Sequence, residues 1–159
     1  MTTQPTTENG ELTTTTANVQ QAVPFFMVSN IEASLRFYID GLGLQRTNQW
    51  IVDNKIRWCW LQLGGAALML QEYGPNHPLH NEKLGQGVSV CFQCKDALAI
   101  YHEALARGLK PKTPFVGNGL WVTAFTDPDG YKLDFESPTT VPEETVYSDD
   151  LKLSTPTQK

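Results

Sequence analysis

Asp127-Pro128-Asp129-Gly130-Tyr131-Lys132-Leu133-Asp134-Phe135-Glu136-Ser137-Pro138 is the stretch on which the fold turns. Its first four residues are turn chemistry: Pro128 presets φ, the aspartates can bond nearby backbone N–H groups, and Gly130 takes a positive φ without steric cost. Behind the turn, Tyr131, Leu133 and Phe135 alternate with Lys132, Asp134 and Glu136, the period-two pattern of a strand with one apolar and one polar face. Two acids on one strand face make a candidate site if that face borders a cavity rather than open water.

The same turn-and-strand arrangement occurs earlier in the chain. Gly43-Leu44 matches Gly108-Leu109 and Gly65 matches Gly130, each pair 65 positions apart. Two anchors at one offset between matching elements indicate an internal duplication. The first copy, residues 21–73, starts with a buried strand at Ala22–Val28. Ser29 and Glu32 form a capping box for a helix carrying Ile31, Leu35, Tyr38, Ile39 and Leu42, ended by Gly41 and Gly43. Strands follow at Leu44–Val52, Ile56–Leu63 and Ala66–Glu72, joined by Asp53-Asn54 and Gly64-Gly65 turns. A polar linker, residues 74–86, leads to the second copy, residues 87–138. There Gly87–Cys94 reads as a strand, Asp96 caps a helix that Gly108 stops, and strands follow at Pro111–Val116, Leu120–Thr126 and Tyr131–Glu136. The fold class is therefore α+β, with two βαβββ modules. Residues 1–20 are rich in Thr with almost nothing to bury and read as a disordered tail; residues 139–159 read as a loose polar tail.

Composition narrows the function classes. With 40% hydrophobic and 18% charged residues, the chain is ordinary globular material. A formal charge of −5 argues against a nucleic-acid partner, which calls for a basic patch. No apolar run approaches the roughly 18 residues a membrane span needs, and the N-terminus lacks a signal peptide's basic and apolar regions, so cytoplasmic localisation is expected. Cys59, Cys91 and Cys94 each lie in an apolar run and read as buried reduced thiols.

Phe37-Tyr38 in a helix closing on Gly41-Leu42-Gly43-Leu44, Ala106-Arg107-Gly108-Leu109 after the second helix, and the Asp-Pro-Asp-Gly strand together carry a resemblance. The chain resembles the vicinal oxygen chelate superfamily, which includes glyoxalase I, extradiol dioxygenases, fosfomycin-resistance enzymes and bleomycin-resistance proteins. The resemblance covers residues 22–138 and implies mixed sheets curled around a cavity, in a homodimer. It also implies one divalent metal in the enzymes, held by residues on the first and last strands of each module. Carried over, those positions are Val23, Met69, Ser89 and Asp134. An aliphatic side chain cannot hold a hard cation and a thioether favours soft ones, so no metal or other cofactor is expected. The character is that of the metal-free, antibiotic-resistance-like branch.

Strand parity sends Met69, Gln71, Asp134 and Glu136 to the cavity side of the last strands, and Ser89, Cys91 and Gln93 to that side of the fifth. Trp58 and Trp60 share one face of their strand, opposite Cys59 and Leu61. The candidate ligand-binding set is Trp58, Trp60, Met69, Gln71, Ser89, Trp121, Asp134 and Glu136: an aromatic-walled cup with two acids, suited to a small cationic or aromatic compound. Two alternatives stay open for the individual residues. The tryptophans can instead be core or interface residues, and the acids can be solvated beside Lys132 or Arg57. His77 and His80, two ligands in a loop, fall short of the three or four a zinc site needs; His102 reads as a surface residue. Two function classes follow, a metal-free dimeric binder or a vicinal oxygen chelate enzyme of lyase, isomerase or dioxygenase type with an atypical metal or none. No catalytic residue is assigned.

Overall fold

A computed structural model describes residues 18–150; most of the expected N-terminal tail and the last nine residues lie outside the described part. Eight strands form two four-stranded mixed sheets of the same order. The first is β1 (Phe25–Val28), β4 (Ala66–Glu72), β3 (Lys55–Leu63) and β2 (Gln45–Val52). The second is β5 (Ser89–Gln93), β8 (Lys132–Pro138), β7 (Leu120–Thr126) and β6 (Phe115–Gly117). In each, the first strand pairs parallel with the last and the remaining pairs are antiparallel. The 65-residue repeat is thus repeated topology.

The first helix starts one residue later than its capping box predicts. Asn30, in extended conformation, accepts from the Ala33 N–H, while the Ser29 N–H donates to Asp129. Asn is as good a cap as Ser, and Ser29 is drawn away by the other module. The helix α1 (Ile31–Leu35) continues through a wider π-helical stretch, Arg36–Gly41, in which the Leu42 N–H reaches back five residues to Phe37. Gly43, at φ +82°, stops it. The second helix, α2 (Ala97–Ala106), is capped by Asp96 onto Ala99 and stops at Gly108, φ +87°.

One core joins the modules. Tyr38, Leu61, Leu68 and Leu70 pack in one cluster with Phe92, Phe125, Leu133 and Phe135. All come from the sheet faces and helices opposite the concave sides. The Asp127–Gly130 turn clasps the two halves. Asp127, almost fully buried, accepts from the Tyr38 hydroxyl at 2.9 Å and from the backbone N–H groups of Asp129 and Tyr131. Burial pushes its carboxyl above the ordinary range, against the pull of these hydrogen bonds. Tyr131 stacks on Phe26 and donates its hydroxyl to the Met27 carbonyl. Gly130 is obligatory here: at φ +102°, a Cβ would also stand 2.9 Å from the Leu84 carbonyl oxygen.

The chain after Pro138, expected to be a loose tail, runs back along β6. Val116 bonds the Thr145 carbonyl, Tyr147 bonds Pro114, and the Tyr147 ring is buried. Its apolar partners, Ala97, Val116 and Trp121, explain the difference: in a polar segment Val141 and Tyr147 find an apolar pocket, while Val146 stays exposed. No helix among the described residues is long and apolar enough to cross a membrane.

Candidate functional site

Register across the first sheet builds two rows on its concave face. Phe25, Met69, Trp60 and Asn48 lie abreast in one, and Met27, Gln71, Trp58 and Trp50 in the next. The opposite face carries Cys59 and Leu61, fully buried. Trp58, Trp60, Met69 and Gln71 are all half-buried, and Phe25 and Trp50 are 49% and 57% exposed, so this is an open aromatic surface. Trp50 was not foreseen from sequence. A β-bulge between Trp50 and Ile51 shifts the hairpin register, and only that shift sets Trp50 beside Trp58.

The concave face of the second sheet is acidic. Cys91, Asp134 and Ala124 form one row, and Gln93, Glu136, Val122 and Phe115 the next. Gln93 donates to the Glu136 carboxylate at 2.6 Å. Asp134 makes no ion pair among the described residues, and Arg57 goes elsewhere, to Glu72. Ser89, exposed, lies beside Lys132 at the end of this face.

Trp121 is a correction. Its ring faces the helix side, 92% buried in effect by the cluster around Tyr147, with an exposure of 8%. The register sets it opposite Ser137, whose hydroxyl accepts from the Ala97 N–H at the start of α2; the concave positions of β7 go to Val122 and Ala124. The cysteines also differ from expectation. Cys59 is buried, its thiol pushed up to about 11 by desolvation, but Cys94 is half-buried and Cys91 exposed, because β5 is an edge strand. Desolvation and then the Glu136 carboxylate raise the Cys91 thiol, which makes it a poor nucleophile. His77 and His80 flank the Tyr73 ring, His77 accepting from the Leu79 N–H. His102 meets the Tyr147 hydroxyl.

The profile of the Glyoxalase/Bleomycin resistance protein/Dioxygenase superfamily matches residues 19–135. The chain belongs to that superfamily. Solved structures of similar fold include a bleomycin-binding protein complexed with bleomycin, 22% identical, covering 75% of this chain and 98% of its own, TM-score 0.59. A bleomycin resistance determinant encoded on the transposon Tn5 is 22% identical over 76% of this chain and 98% of its own, TM-score 0.60. TnmS3, an antibiotic binding protein from Streptomyces sp. CB03234, is 22% identical over 76% and 98%, TM-score 0.58. No curated protein matches the chain.

Superfamily enzymes hold a divalent metal, and this chain's residues do not fit one. Met69 sits beside Phe25, Asp134 beside Cys91, and Val23 precedes β1 altogether. Asp134 is the lone carboxylate of the four positions, Ser89 offering only a neutral hydroxyl, and no three of His, Cys, Asp and Glu come together among the described residues. The aromatic and acidic faces are also not joined within one chain. Of the two clefts described, one of about 690 Å³ runs between β5 and the β3–β4 turn, and the other borders β2. Neither is lined by Trp58, Trp60, Met69, Gln71, Ser89, Asp134 or Glu136.

Proposed function

We propose that this superfamily member is a non-catalytic, metal-free binder of a small cationic or aromatic compound, working as a homodimer. One observation carries the reading: Trp50, Trp58 and Trp60 lie on one open concave face and the two acids on the other, each backed by core. Exposed apolar surface of this kind marks an interface. A twofold pair that lays the aromatic face of one copy over the acidic face of the other covers Phe25, Trp50 and Phe115 and closes two identical cups. In each cup Trp58 and Trp60 offer stacking and cation–π contact, while Asp134 and Glu136 balance a positive charge. Relatives of this fold whose names record bleomycin or antibiotic binding support a binder over an enzyme, as does the donor set that fits no metal.

Titration with proflavine, a planar aromatic cation, and with bleomycin tests the reading. Saturable quenching of tryptophan fluorescence by at least one of them is expected, from a species of twice 17.7 kDa in light scattering. A monomer at micromolar concentration that neither compound quenches overturns it. So does one equivalent of a divalent metal that is lost in Asp134→Asn.

A further inference from the structure

The internal repeat creates two intermodule contacts of the same design, and only one of them is filled. On the filled side, the turn before β8 lies against β1. Tyr131 stacks on Phe26 with ring centroids 4.1 Å apart and planes 8° off parallel, and its hydroxyl donates to the Met27 carbonyl at 3.0 Å. On the other side the turn before β4 faces β5. Gly65 is the counterpart of Gly130, so Ala66 is the counterpart of Tyr131. The registers, Phe25 beside Met69 and Cys91 beside Asp134, make Phe92 the counterpart of Phe26 and Gln93 that of Met27. A methyl group therefore stands where the other half has a phenol ring. The space beside it is the cleft of about 690 Å³, whose lining includes Ala66, Phe92, Gln93, Ile100 and Phe135. The linker covers one turn and leaves the other bare: a Cβ on Gly64 or Gly65 would meet nothing within 4 Å.

We propose that this cleft is a second binding site, taking one planar aromatic group with a hydroxyl donor, seated as Tyr131 is seated in the other half. The ring packs against Phe92, which is itself stacked on Phe135 at 4.7 Å, and the hydroxyl donates to the Gln93 carbonyl. The Cys94 N–H is bonded to the Glu136 carbonyl, so the Gln93 carbonyl, on the opposite side of the same trans peptide, points away from β8. The chain itself has no ring to spare, since residues 1–17 and 151–159 contain no Phe, Tyr or Trp. The occupant is a small phenolic molecule from outside. This site shares Cys91 and Gln93 with the rim of the acidic face, but it is lined by none of Trp58, Trp60, Asp134 and Glu136 and does not depend on their forming a binding cup.

The test uses p-cresol, the tyrosine side chain as a free molecule, with the full-length protein followed by two-dimensional NMR. Saturable shifts are expected at Gly65, Ala66 and Gln93, with the indole N–H signals of Trp58 and Trp60 unmoved. Toluene, lacking the donor, should bind roughly three- to tenfold weaker, the worth of one neutral hydrogen bond. Ala66→Tyr supplies the ring from within and should abolish the p-cresol shifts. Shifts centred on Trp58, Trp60, Asp134 and Glu136, no saturable shift up to the solubility limit, or toluene binding as tightly as p-cresol would each overturn the proposal. Should Ala66→Tyr not fold, the wild-type map and the toluene comparison still decide it.

Discussion

The two modules share a strand order but differ in what each leaves open. Module one has an aromatic concave face and an outer strand, β2, that is exposed along nearly its whole length. Module two has an acidic concave face, and its outer strand β6 is covered by the chain around Thr145 and Tyr147. Module two also supplies the clasp, whose Asp127, Asp129 and Tyr131 hold α1 and β1 of module one. At the counterpart of Asp127, module one has Gln62, exposed, its side chain donating to the Gly64 carbonyl two residues on. One half carries the structural contact and the other leaves an open surface. A repeat of fold is therefore not a repeat of role.

The clasp makes the largest break in that comparison. Asp127→Ala strands the buried Tyr38 hydroxyl and two part-buried N–H groups, and should cost about 4 kcal/mol at roughly 1–3 per orphaned donor. Gln62→Ala should stay within about 0.5 kcal/mol, as at an ordinary surface position. Equal losses in denaturant titration would erase the asymmetry. Next are the two tryptophans. Trp121→Ala opens a cavity beneath Tyr147 and should cost about 3 kcal/mol. Trp60→Ala, on an open face, should cost about 1 kcal/mol while lowering proflavine affinity roughly five- to thirtyfold, the size of a cation–π contact. A Trp60→Ala protein that melts as low as Trp121→Ala would assign Trp60 to packing.

The smallest effect separates two buried acids by their response to pH. Desolvation raises the Glu72 carboxyl, but the Lys55 ammonium at 2.6 Å, the Ile31 N–H and Arg57 outweigh it, and the net shift is downward. A lowered folded value adds stability that is present above the ordinary glutamate range and lost as pH falls through the folded value. Asp127, shifted upward, acts with the opposite sign: its contribution favours the fold in acid and weakens as pH rises. Thermal melts across the acid range should therefore show a shallower acid loss for Glu72→Gln than for the wild type, and a steeper one for Asp127→Asn. The reverse order would contradict both assignments.

Much of this was legible in the sequence. The repeat, six of the eight strands within a residue or two, the Asp96 cap and the orientation of Trp58, Met69, Asp134 and Glu136 follow from periodicity and turn residues, which act locally. Where the expectation failed, the cause was nonlocal. Ser29 lost the cap because Asp129 of the other module takes its N–H. Trp121 was assigned a face without the register that pairs it with Ser137. Pro111–Val116 shrank to Phe115–Gly117, and the tail gained order through a Tyr147 pocket built by α2 and β7. That the two faces of the expected cup point away from a shared core is a fact of module packing, which no single strand records.

The most direct test of the cup mixes two defective chains. Trp60→Ala spoils every aromatic face and Asp134→Asn every acidic face, so each homodimer should bind proflavine weakly. In a mixed dimer, one cup carries both defects and the other pairs an intact aromatic face with an intact acidic face. Unfolding and refolding the two variants together should therefore restore wild-type affinity at half of the sites in the mixed species, read by tryptophan quenching. If the mixture binds no better than its separate parts, the site does not span two copies and the account of the cup is wrong.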